Sequence, residues 1–287
     1  MSLLYRADLR TLWLLGCPVE HSMSPLIQNT ALEFLGLPLV YLAASVPPQG
    51  VEAAVSGLLA LGALGANVTV PHKETAFRLC HSVSERARAM GACNVLKFVD
   101  GQVLGDNTDG AGWLRGLRER LHDRVPHRAL VLGAGGAARA ILYSLIQIGV
   151  PEIVLFNRTP ARAEALAQEM KAPESRLEVA SLADWERYLE ADCLVVQTTS
   201  AGLDGEQSPI SLPQHWPERA LFSELIYGCD TPLASAVRGL GGEVYSGLPM
   251  LVYQAAESLA IWLDRPLEDI PADGMLAAAR QRLAGLL

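Results

Sequence analysis

The stretch Ala129-Leu-Val-Leu-Gly-Ala-Gly-Gly-Ala-Ala138 decides the fold of this chain. Its first four residues predict a short buried strand, and apolar spacing predicts a helix over about 139–148. In this G-x-G-x-x-A arrangement, Gly133 allows a tight turn, Gly135 lets the backbone approach a pyrophosphate, and Ala138 lets helix and strand pack closely. Because the strand, the loop and the helix occur together, we predict a dinucleotide-binding Rossmann domain, with a purely structural turn as the alternative.

The segment after the next predicted strand, 153–156, bears on the identity of the dinucleotide. It reads Asn157-Arg158-Thr159, at about the position where an NAD site carries an Asp or Glu for the ribose 2′-hydroxyl. An acidic side chain would repel a 2′-phosphate, whereas Arg158 can pair with it through two hydrogen bonds. We therefore predict NADP as the cofactor, in preference to NAD.

Strands and helices alternate through the rest of this half of the chain, which predicts a doubly wound sheet. The predicted strands after the glycine loop are 153–156, 177–179, 193–198, 221–226 and 243–245. Thr198-Thr199-Ser200 stands at the end of one of them, where such sheets hold their cofactor. Three hydroxyls in a row could also be ordinary turn residues.

The first half of the chain predicts a second sheet. From Thr11 to Val70 the pattern is β-α-β-α-β, which is typical of parallel strands covered by helices. Asp100-Gly101 is a strong hairpin signal between two further strands. Two amphipathic helices, predicted over 248–262 and 275–287, have no sheet of their own to cover. We expect them to pack back on the first domain.

Together these patterns predict an α/β protein of two domains. Residues 1–109 plus 250–287 are expected to form an N-terminal, mainly parallel α/β substrate-binding domain. Residues 110–249 are expected to form a doubly wound Rossmann domain that binds NADP.

Composition and charge exclude several classes of partner. The formal net charge is −8, and Lys and Arg form no cluster, so we expect no nucleic acid. No apolar run is long enough to span a bilayer, so we expect no membrane partner. The five cysteines are scattered without a C-x-x-C pair, as in reduced cytoplasmic proteins, and the histidines lack ligand spacing, so we expect no metal. The oligomeric state, monomer or homodimer, stays open.

The segment Asn67-Val-Thr-Val-Pro-His-Lys73 contains the first candidate catalytic residue. The pattern predicts the end of a buried strand, followed by Pro71 at the first position of a helix, where its missing N–H costs nothing. Lys73 then lies in the first helical turn, where a cation opposes the positive end of the helix dipole. Helix stability therefore gives no reason for this lysine. It is either a group that exchanges protons with a substrate or a solvated surface residue.

Two other segments carry polar side chains at predicted strand ends. Asp109, in Asp106-Asn-Thr-Asp109-Gly110, precedes a helix and could be its N-cap. If it lies near Lys73, its carboxylate would instead hold the amine and share the proton of a reacting oxygen. Ser22 and Ser24 precede a Pro-initiated helix; either could cap it, or the two could bind a polyol or a carboxylate.

In their order along the chain, these motifs resemble the shikimate dehydrogenase family over almost the full length. The motifs are Ser22-x-Ser24, Asn67-x-Thr69-x-Pro71-x-Lys73, Asn94, Asp106-Asn-Thr-Asp109-Gly110, Gly133-Ala-Gly-Gly-Ala, Asn157-Arg-Thr159 and Gly247-x-x-Met-Leu-Val-x-Gln254. The resemblance implies reduction of 3-dehydroshikimate to shikimate with NADPH, a step of aromatic amino-acid biosynthesis, and a small-molecule substrate as the partner.

The resemblance also implies a role for each matching residue. Lys73 and Asp109 would form the catalytic pair. Ser22 and Ser24 would hold the substrate carboxylate. The other substrate residues would be Asn67, Thr69, Asn94, Tyr227 and Gln254. The cofactor residues would be Gly133, Gly135, Gly136, Ala137, Asn157, Arg158, Thr159, Thr198 and Gly247.

The chain departs from the family pattern in two motifs. Glu224 stands where the family usually has Asp, three residues before the tyrosine, and Gln197-Thr-Thr199 stands where it usually has Asn-Ala-Thr. Both departures could alter nicotinamide placement or reduce turnover. The alternatives are a quinate dehydrogenase, a paralogue with weak activity on shikimate, and a non-catalytic NADP-binding sensor.

Overall fold

The computed structural model describes residues 7–170 and 173–285. Two compact units divide the chain: Met1–Gly112 together with Leu251–Leu287, and Trp113–Met250. None of the described helices is both long and apolar enough to cross a membrane.

The first unit contains a six-stranded, mainly parallel sheet. Its strands are β1 (Arg10–Gly16), β2 (Leu39–Ser45), β3 (Gly65–Val68), β4 (Ser82–Val83), β5 (Val95–Val99) and β6 (Gln102–Asp106), in the order β2-β1-β3-β5-β6-β4. The β1 strand pairs in parallel with β2 and β3, whereas β5 runs antiparallel to β3 and β6. The predicted parallel β-α-β-α-β succession is therefore confirmed for the first three strands.

The predicted hairpin joins β5 to β6. Val99 pairs with Gln102, and Asp100 and Gly101 form the two-residue turn. Both turn residues have positive φ, 50° and 76°, which Asp tolerates and Gly adopts freely. The hairpin matters for the site because β6 ends at Asp106, immediately before the segment that contains Asp109.

Helices cover this sheet. They are α1 (Ser24–Phe34), α2 (Val51–Ala60), α3 (Lys73–Leu79) and α4 (Glu85–Met90), with α9 (Leu248–Leu263) and α10 (Ala272–Leu283) near the end of the chain. The α10 helix contacts α1, and the Gln28 side chain of α1 donates to the Ala255 carbonyl of α9 at 3.0 Å. The expectation that the last two helices pack back on the first domain is confirmed. The helix predicted over 275–287 begins earlier, and residues 286–287 lie outside the described part of the chain.

A close approach of backbone and side chain fixes α9 against the sheet. Trp262 donates its indole N–H to the Leu96 carbonyl at 2.9 Å and is almost fully buried. Gly65 makes this possible, because a Cβ there would lie 2.3 Å from both Leu96 O and Trp262 Nε1. A glycine in β3 therefore lets the helix that carries Gln254 pack onto the strand that leads to Lys73.

The second unit contains a six-stranded sheet that is parallel throughout. Its strands are β7 (Arg128–Leu132), β8 (Glu152–Phe156), β9 (Arg176–Ala180), β10 (Leu194–Gln197), β11 (Leu221–Glu224) and β12 (Glu243–Tyr245), in the order β12-β11-β10-β7-β8-β9. Its helices include α6 (Gly136–Gln147), α7 (Pro160–Glu169), α8 (Pro232–Gly239) and most of α5 (Asp109–Leu121).

Alternate residues of β7 face two separate cores. Ala129 and Val131 belong to the cluster that includes residues of α5 and α6, whereas Leu130 and Leu132 belong to the cluster that includes residues of α8. Successive side chains of a strand point to opposite faces, so a strand that is apolar at every position is covered on both sides. The predicted doubly wound sheet is confirmed.

Candidate active site

Lys73 begins helix α3, two residues later than the sequence predicts for this helix. Pro71 does not occupy the first helical position, because a turn closed by the His72 N–H and the Thr69 carbonyl separates β3 from the helix. His72 is the N-cap residue, and its ring lies 2.7 Å from the Val46 carbonyl. Lys73 nevertheless lies in the first helical turn, as predicted.

The Lys73 ammonium group and the Asp109 carboxylate form an ion pair, with 2.5 Å between Nζ and Oδ2. Their side chains are only 18% and 8% exposed. Asp109 is the first residue of α5, and its other oxygen accepts a hydrogen bond from Asn94 Nδ2 at 2.8 Å. Asn107 accepts the Asp109 N–H at 3.1 Å. The Asp109 carboxylate therefore holds the lysine, and Asp109 lies at the first helical position, one residue after the N-cap position.

Asn94 links several of the predicted substrate residues. Its Nδ2 contacts both Asp109 and Gln254 Oε1, the latter at 3.3 Å, and its Oδ1 accepts the Thr108 N–H at 2.8 Å. Because the amide donates on one side and accepts on the other, its orientation is fixed by this network. Asn94 is buried, so it holds the Asp109 carboxylate from the interior of the unit.

Asn67 extends the network towards the sheet. Its Nδ2 donates to the Asn94 carbonyl and to Ser258 Oγ, both at 3.0 Å, and its Oδ1 accepts from the Tyr41 hydroxyl at 2.8 Å. Burial raises the pKa of Tyr41 well above its usual value, so the phenol stays a neutral donor. We call these linked residues the polar cluster: Tyr41, Asn67, Lys73, Asn94, Thr108, Asp109, Gln254 and Ser258.

Three members of the polar cluster were not predicted from the sequence. Ser258 lies four residues after Gln254 in α9, so helical spacing was a usable signal for it. Thr108 lies inside the predicted Asp106–Asp109 motif and donates to the Gln254 carbonyl at 3.0 Å. Tyr41 lies in β2 with no local signal, because only the sheet order brings it to Asn67.

An ion-pair network anchors the segment that carries Asp109. Arg86 binds both oxygens of Asp106, at 2.7 and 3.0 Å, and Glu257 of α9 at 2.9 Å. Burial acts to raise the pKa of Asp106, but the bonds from Arg86 outweigh it and the net pKa is lowered. Asp106 is therefore ionised at neutral pH and fixes the end of β6 just before Asp109.

The predicted serines lie at the start of α1. Ser22 Oγ accepts the Ser24 N–H at 3.2 Å, and Met23, which makes no side-chain cap, is the N-cap residue. Neither serine is therefore the N-cap. Ser22 lines a small cleft of about 210 Å³ together with His21 and Arg282. Thr69 lies one residue past β3, where its methyl group faces Gly16.

In the second unit, the glycine loop follows β7. Gly133 has φ of +116°, and a Cβ there would lie 2.5 Å from Thr198 Oγ1. Thr198 Oγ1 donates to the Leu132 carbonyl at 2.7 Å, so this predicted cofactor residue braces the loop. Gly135 is the N-cap of α6, and a Cβ at Gly135 or Gly136 would meet nothing within 4 Å. The backbone there is open to a phosphate group, as a dinucleotide requires.

A cleft of about 450 Å³ opens beside this loop. Among its lining residues are Gly133, Asn157, Arg158, Thr199, Ser200, Asp204 and Ser208. The cleft lies at the carboxyl ends of β7 and β10, where the strand order reverses and doubly wound sheets bind nucleotides. The Ser208 hydroxyl oxygen is buried without a hydrogen-bond partner in the described structure. An arginine, open glycine amides and an orphaned hydroxyl fit a phosphorylated dinucleotide such as NADP.

Some predicted cofactor residues are not among those that line the cleft. Gly136 and Ala137 lie in the first turn of α6. Thr159 is the N-cap residue of α7 and accepts from Asn157 Nδ2 at 2.8 Å through its carbonyl. Gly247 directly precedes α9, and a Cβ there would lie 2.0 Å from the Leu225 carbonyl. The structure gives Thr159 and Gly247 a role in backbone geometry. The sequence did not identify Asp204 and Ser208.

Two of the residues that depart from the family pattern are paired across adjacent strands. Gln197 and Glu224 are partners at the ends of β10 and β11, and both are buried. Gln197 bonds the Ala201 carbonyl and the Thr199 N–H. Glu224 accepts from the Ile226 N–H at 3.0 Å and from the Thr231 hydroxyl at 2.8 Å. The two donors belong to residues on either side of Tyr227 in the sequence. Burial raises the pKa of Glu224 to about 7.

A Rossmann unit whose cleft contains Arg158, in one chain with a unit that holds a largely buried Lys–Asp pair, is typical of nicotinamide-dinucleotide-dependent oxidoreductases. Residues 14–96 match the family model described as the shikimate dehydrogenase substrate binding domain, and residues 117–204 match the one described as shikimate / quinate 5-dehydrogenase. This chain belongs to the shikimate dehydrogenase family, an NADP-dependent enzyme family.

Individual relatives match this chain along most of their length. A shikimate dehydrogenase (NADP⁺) of Methanopyrus kandleri is 38% identical over 284 residues, which cover 96% of this chain and 97% of the relative. One of Magnetococcus marinus is 42% identical over 255 residues, 86% of this chain and 88% of the relative.

A solved structure extends the comparison to bound ligands. The shikimate 5-dehydrogenase of Thermus thermophilus, solved in complex with NADP(H) and shikimate, is 34% identical with a TM-score of 0.82. The match covers 95% of this chain and 99% of that chain.

Among the described residues of our chain, no group of three or more His, Cys, Asp or Glu side chains could hold a metal ion.

Proposed function

We propose that this chain reduces 3-dehydroshikimate to shikimate with NADPH, and that Lys73 and Asp109 are its catalytic residues. The observation that carries the proposal is the 2.5 Å ion pair of Lys73 and Asp109 inside the polar cluster. A protonated amine that is held by a carboxylate and surrounded by amides and hydroxyls suits a substrate whose carbon ring carries hydroxyl groups. The relatives of this chain carry the same activity in their names.

The residues of the polar cluster would transfer the proton of the reaction. NADPH, when bound, supplies a hydride to the carbonyl carbon at C3 of the ring. Lys73 Nζ donates its proton to the carbonyl oxygen as negative charge develops there, which leaves an alcohol. Asp109 holds Nζ in position through one carboxylate oxygen, while Asn94 holds the other oxygen. In the oxidation direction the neutral amine accepts the same proton.

The amides of the polar cluster would bind the ring hydroxyls. Both Nδ2 hydrogens of Asn67 have acceptors within the protein, so Asn67 would accept from the substrate through Oδ1. Asn94, Thr69 and Gln254 would complete the hydroxyl contacts. Ser22 and Ser24 at the start of α1 would bind the carboxylate, and Tyr227 would contact the ring.

The cleft of the second unit would hold the cofactor. The glycine loop, Gly133 to Ala137, would present backbone N–H groups to the pyrophosphate at the N-terminus of α6. Arg158 would pair with the 2′-phosphate, with Asn157 and Thr159 beside it. Thr198 and Gly247 would keep the neighbouring loops in place. An arginine in this position favours NADP over NAD.

The test is NADPH formation by the purified protein supplied with shikimate and NADP. Parallel reactions contain quinate in place of shikimate, and NAD in place of NADP. We expect fast turnover with shikimate and NADP, and a much lower kcat/KM when either is replaced. Quinate is the second candidate substrate, because the matching family model covers both activities.

The other outcomes of this assay separate the alternatives. Faster turnover with quinate would make the chain a quinate dehydrogenase. Shikimate binding without oxidation, measured by calorimetry, would point to Gln197 and Glu224 as the cause and to a paralogue with another substrate. Binding of NADP without binding of either acid would leave a cofactor sensor and overturn the proposal.

A further inference from the structure

Two cysteines lie side by side in the first unit, next to the polar cluster. The Sγ atoms of Cys80 and Cys93 are 3.9 Å apart, and both are free thiols. Cys80 directly follows α3, the helix that begins at Lys73, and Cys93 directly precedes Asn94. We call Cys80 and Cys93 the thiol pair. Through its neighbours in the chain, the thiol pair is connected to Lys73 and Asn94, the two residues that bind the Asp109 carboxylate.

A glycine in β6 makes room for the thiol pair. A Cβ at Gly105 would lie 2.5 Å from the sulfur of Cys80 and 2.6 Å from the sulfur of Cys93. Gly105 pairs with Val83 on one side and Leu96 on the other, so it lies between the strands that follow the two cysteines. The two sulfurs therefore meet over a position without a side chain.

The two thiols differ in accessibility and in acidity. Cys80 is partly exposed, and its hydrogen bond with Cys93 lowers the pKa of its thiol. Cys93 is buried, and the same contact raises the pKa of its thiol. A thiolate is the form that reacts with peroxides, and reaction requires access. Cys80 is thus the thiol that an oxidant reaches first, with Cys93 beside it as the resolving thiol.

We propose that the thiol pair is a modification site that hydrogen peroxide converts to a Cys80–Cys93 disulfide. The Cys80 thiolate attacks one peroxide oxygen, the O–O bond breaks, and after one protonation water leaves and a sulfenic acid remains. The Cys93 thiol then attacks that sulfur, the S–O bond breaks and a second water leaves. Two thiols lose two electrons and two protons, and the peroxide is reduced to two waters. A dithiol reductant reverses the modification by thiol–disulfide exchange.

The disulfide acts on the site through α3 and Asn94. The sulfurs have to approach from 3.9 Å to about 2 Å, which pulls the end of α3 towards the segment before Asn94. The Cys93 N–H donates to the Lys73 carbonyl at 3.0 Å, and Asn94 holds the Asp109 carboxylate. A small displacement of either group misplaces the Lys73–Asp109 pair, and misplacements of about 1 Å cost catalysis heavily. We therefore expect the oxidised form to have a lower kcat.

The test treats the full-length protein with low concentrations of hydrogen peroxide and maps the product by mass spectrometry. Trypsin cleaves after Arg78, Arg86, Arg88 and Lys97, so Cys80 and Cys93 fall in the separate peptides 79–86 and 89–97. We expect these two peptides to be joined, an intact-mass decrease of about 2 Da, and full reversal by dithiothreitol. The kcat should fall about tenfold and recover with the reductant.

Two variants give the test its controls. Cys80→Ser should keep the basal activity and lose both the cross-link and the peroxide sensitivity. Cys229→Ser, which removes an exposed thiol elsewhere, should behave like the wild type. Unlinked peptides with oxygen added to Cys80, or equal peroxide sensitivity in Cys80→Ser, would overturn the proposal. The cross-link is read by mass alone, so its absence and a failure of the shikimate assay are distinguishable.

Discussion

The polar cluster of the first unit and the strand ends of the second unit each bury a carboxyl group, but they satisfy it differently. Asp109 is held by the Lys73 ammonium and the Asn94 amide. Glu224 receives hydrogen bonds from two neutral donors, the Ile226 N–H and the Thr231 hydroxyl, and burial raises its pKa to about 7. The first arrangement holds a protonated amine against a carboxylate, which suits acid–base chemistry. The second fixes the geometry of a loop.

A second difference concerns exposure. The predicted catalytic residues of the first unit are largely buried in a hydrogen-bonded network of side chains, whereas the second unit offers an open cleft lined by a glycine loop and by Arg158. Changes in the network should therefore affect kcat, and changes at the cleft should affect the affinity for the cofactor. Four substitutions test this contrast.

The largest effect is expected for Lys73→Ala. Removal of a general acid–base group typically lowers the rate about a hundredfold to ten-thousandfold. We therefore expect kcat to fall by a factor in that range while KM changes little. Lys97→Ala is the matched control, since Lys97 is also ion-paired, with Asp264, but outside the polar cluster. Its kcat should stay close to that of the wild type. A near-normal kcat for Lys73→Ala would remove this lysine from the mechanism.

Glu224→Gln should change the pH dependence of stability. The folded protein keeps the Glu224 proton up to about pH 7, whereas the unfolded chain loses it near the ordinary glutamate pKa of 4.5. The stabilisation is therefore complete below about pH 4.5 and is lost as pH rises through about 7, by about 3 kcal/mol. Urea unfolding of the wild type at pH 5 and pH 8 should show this loss, and the variant should lack it. Parallel pH profiles for the two proteins would contradict the assignment.

Arg158→Ala should separate the two cofactors. A charge-assisted hydrogen bond to a phosphate contributes about 1.5–3 kcal/mol, so KM for NADP should rise about tenfold or more while KM for NAD hardly changes. Arg162→Ala in α7 is the control, because Arg162 is exposed and is not among the residues that line the cleft. Equal losses for NADP and NAD would mean that the 2′-phosphate is bound elsewhere.

The smallest effect is expected for Asp204→Asn. Asp204 lines the same cleft and accepts from the N–H groups of Glu206 and Gln207, which lower its pKa and keep it ionised. The amide keeps an acceptor for those bonds but removes a negative charge near a phosphate site. KM for NADP should fall about two- to threefold at low salt and less at high salt, because ions screen the repulsion. A salt-independent change would indicate a loop rearrangement.

Much of the fold could be predicted because its signals are local. The glycine loop, the Asp100-Gly101 hairpin and the alternation of strands and helices each depend on backbone preferences and apolar spacing within a few residues. Lys73 was singled out as a candidate from a position that its local structure did not require, and Asp109, which could have been a helix cap, was singled out as its possible partner. One local error, Pro71 at the helix start, arose because a turn and a helix start favour the same residues.

The sequence by itself determined the two α/β domains, the NADP cofactor expected from Arg158 and the pair of candidate catalytic residues. Only the tertiary structure brought Tyr41 to Asn67, Cys80 to Cys93, and Glu224 into surroundings that raise its pKa. The physical reason is that backbone geometry is set by near neighbours, whereas hydrogen-bond partners and burial are set by strand order and helix packing between distant segments.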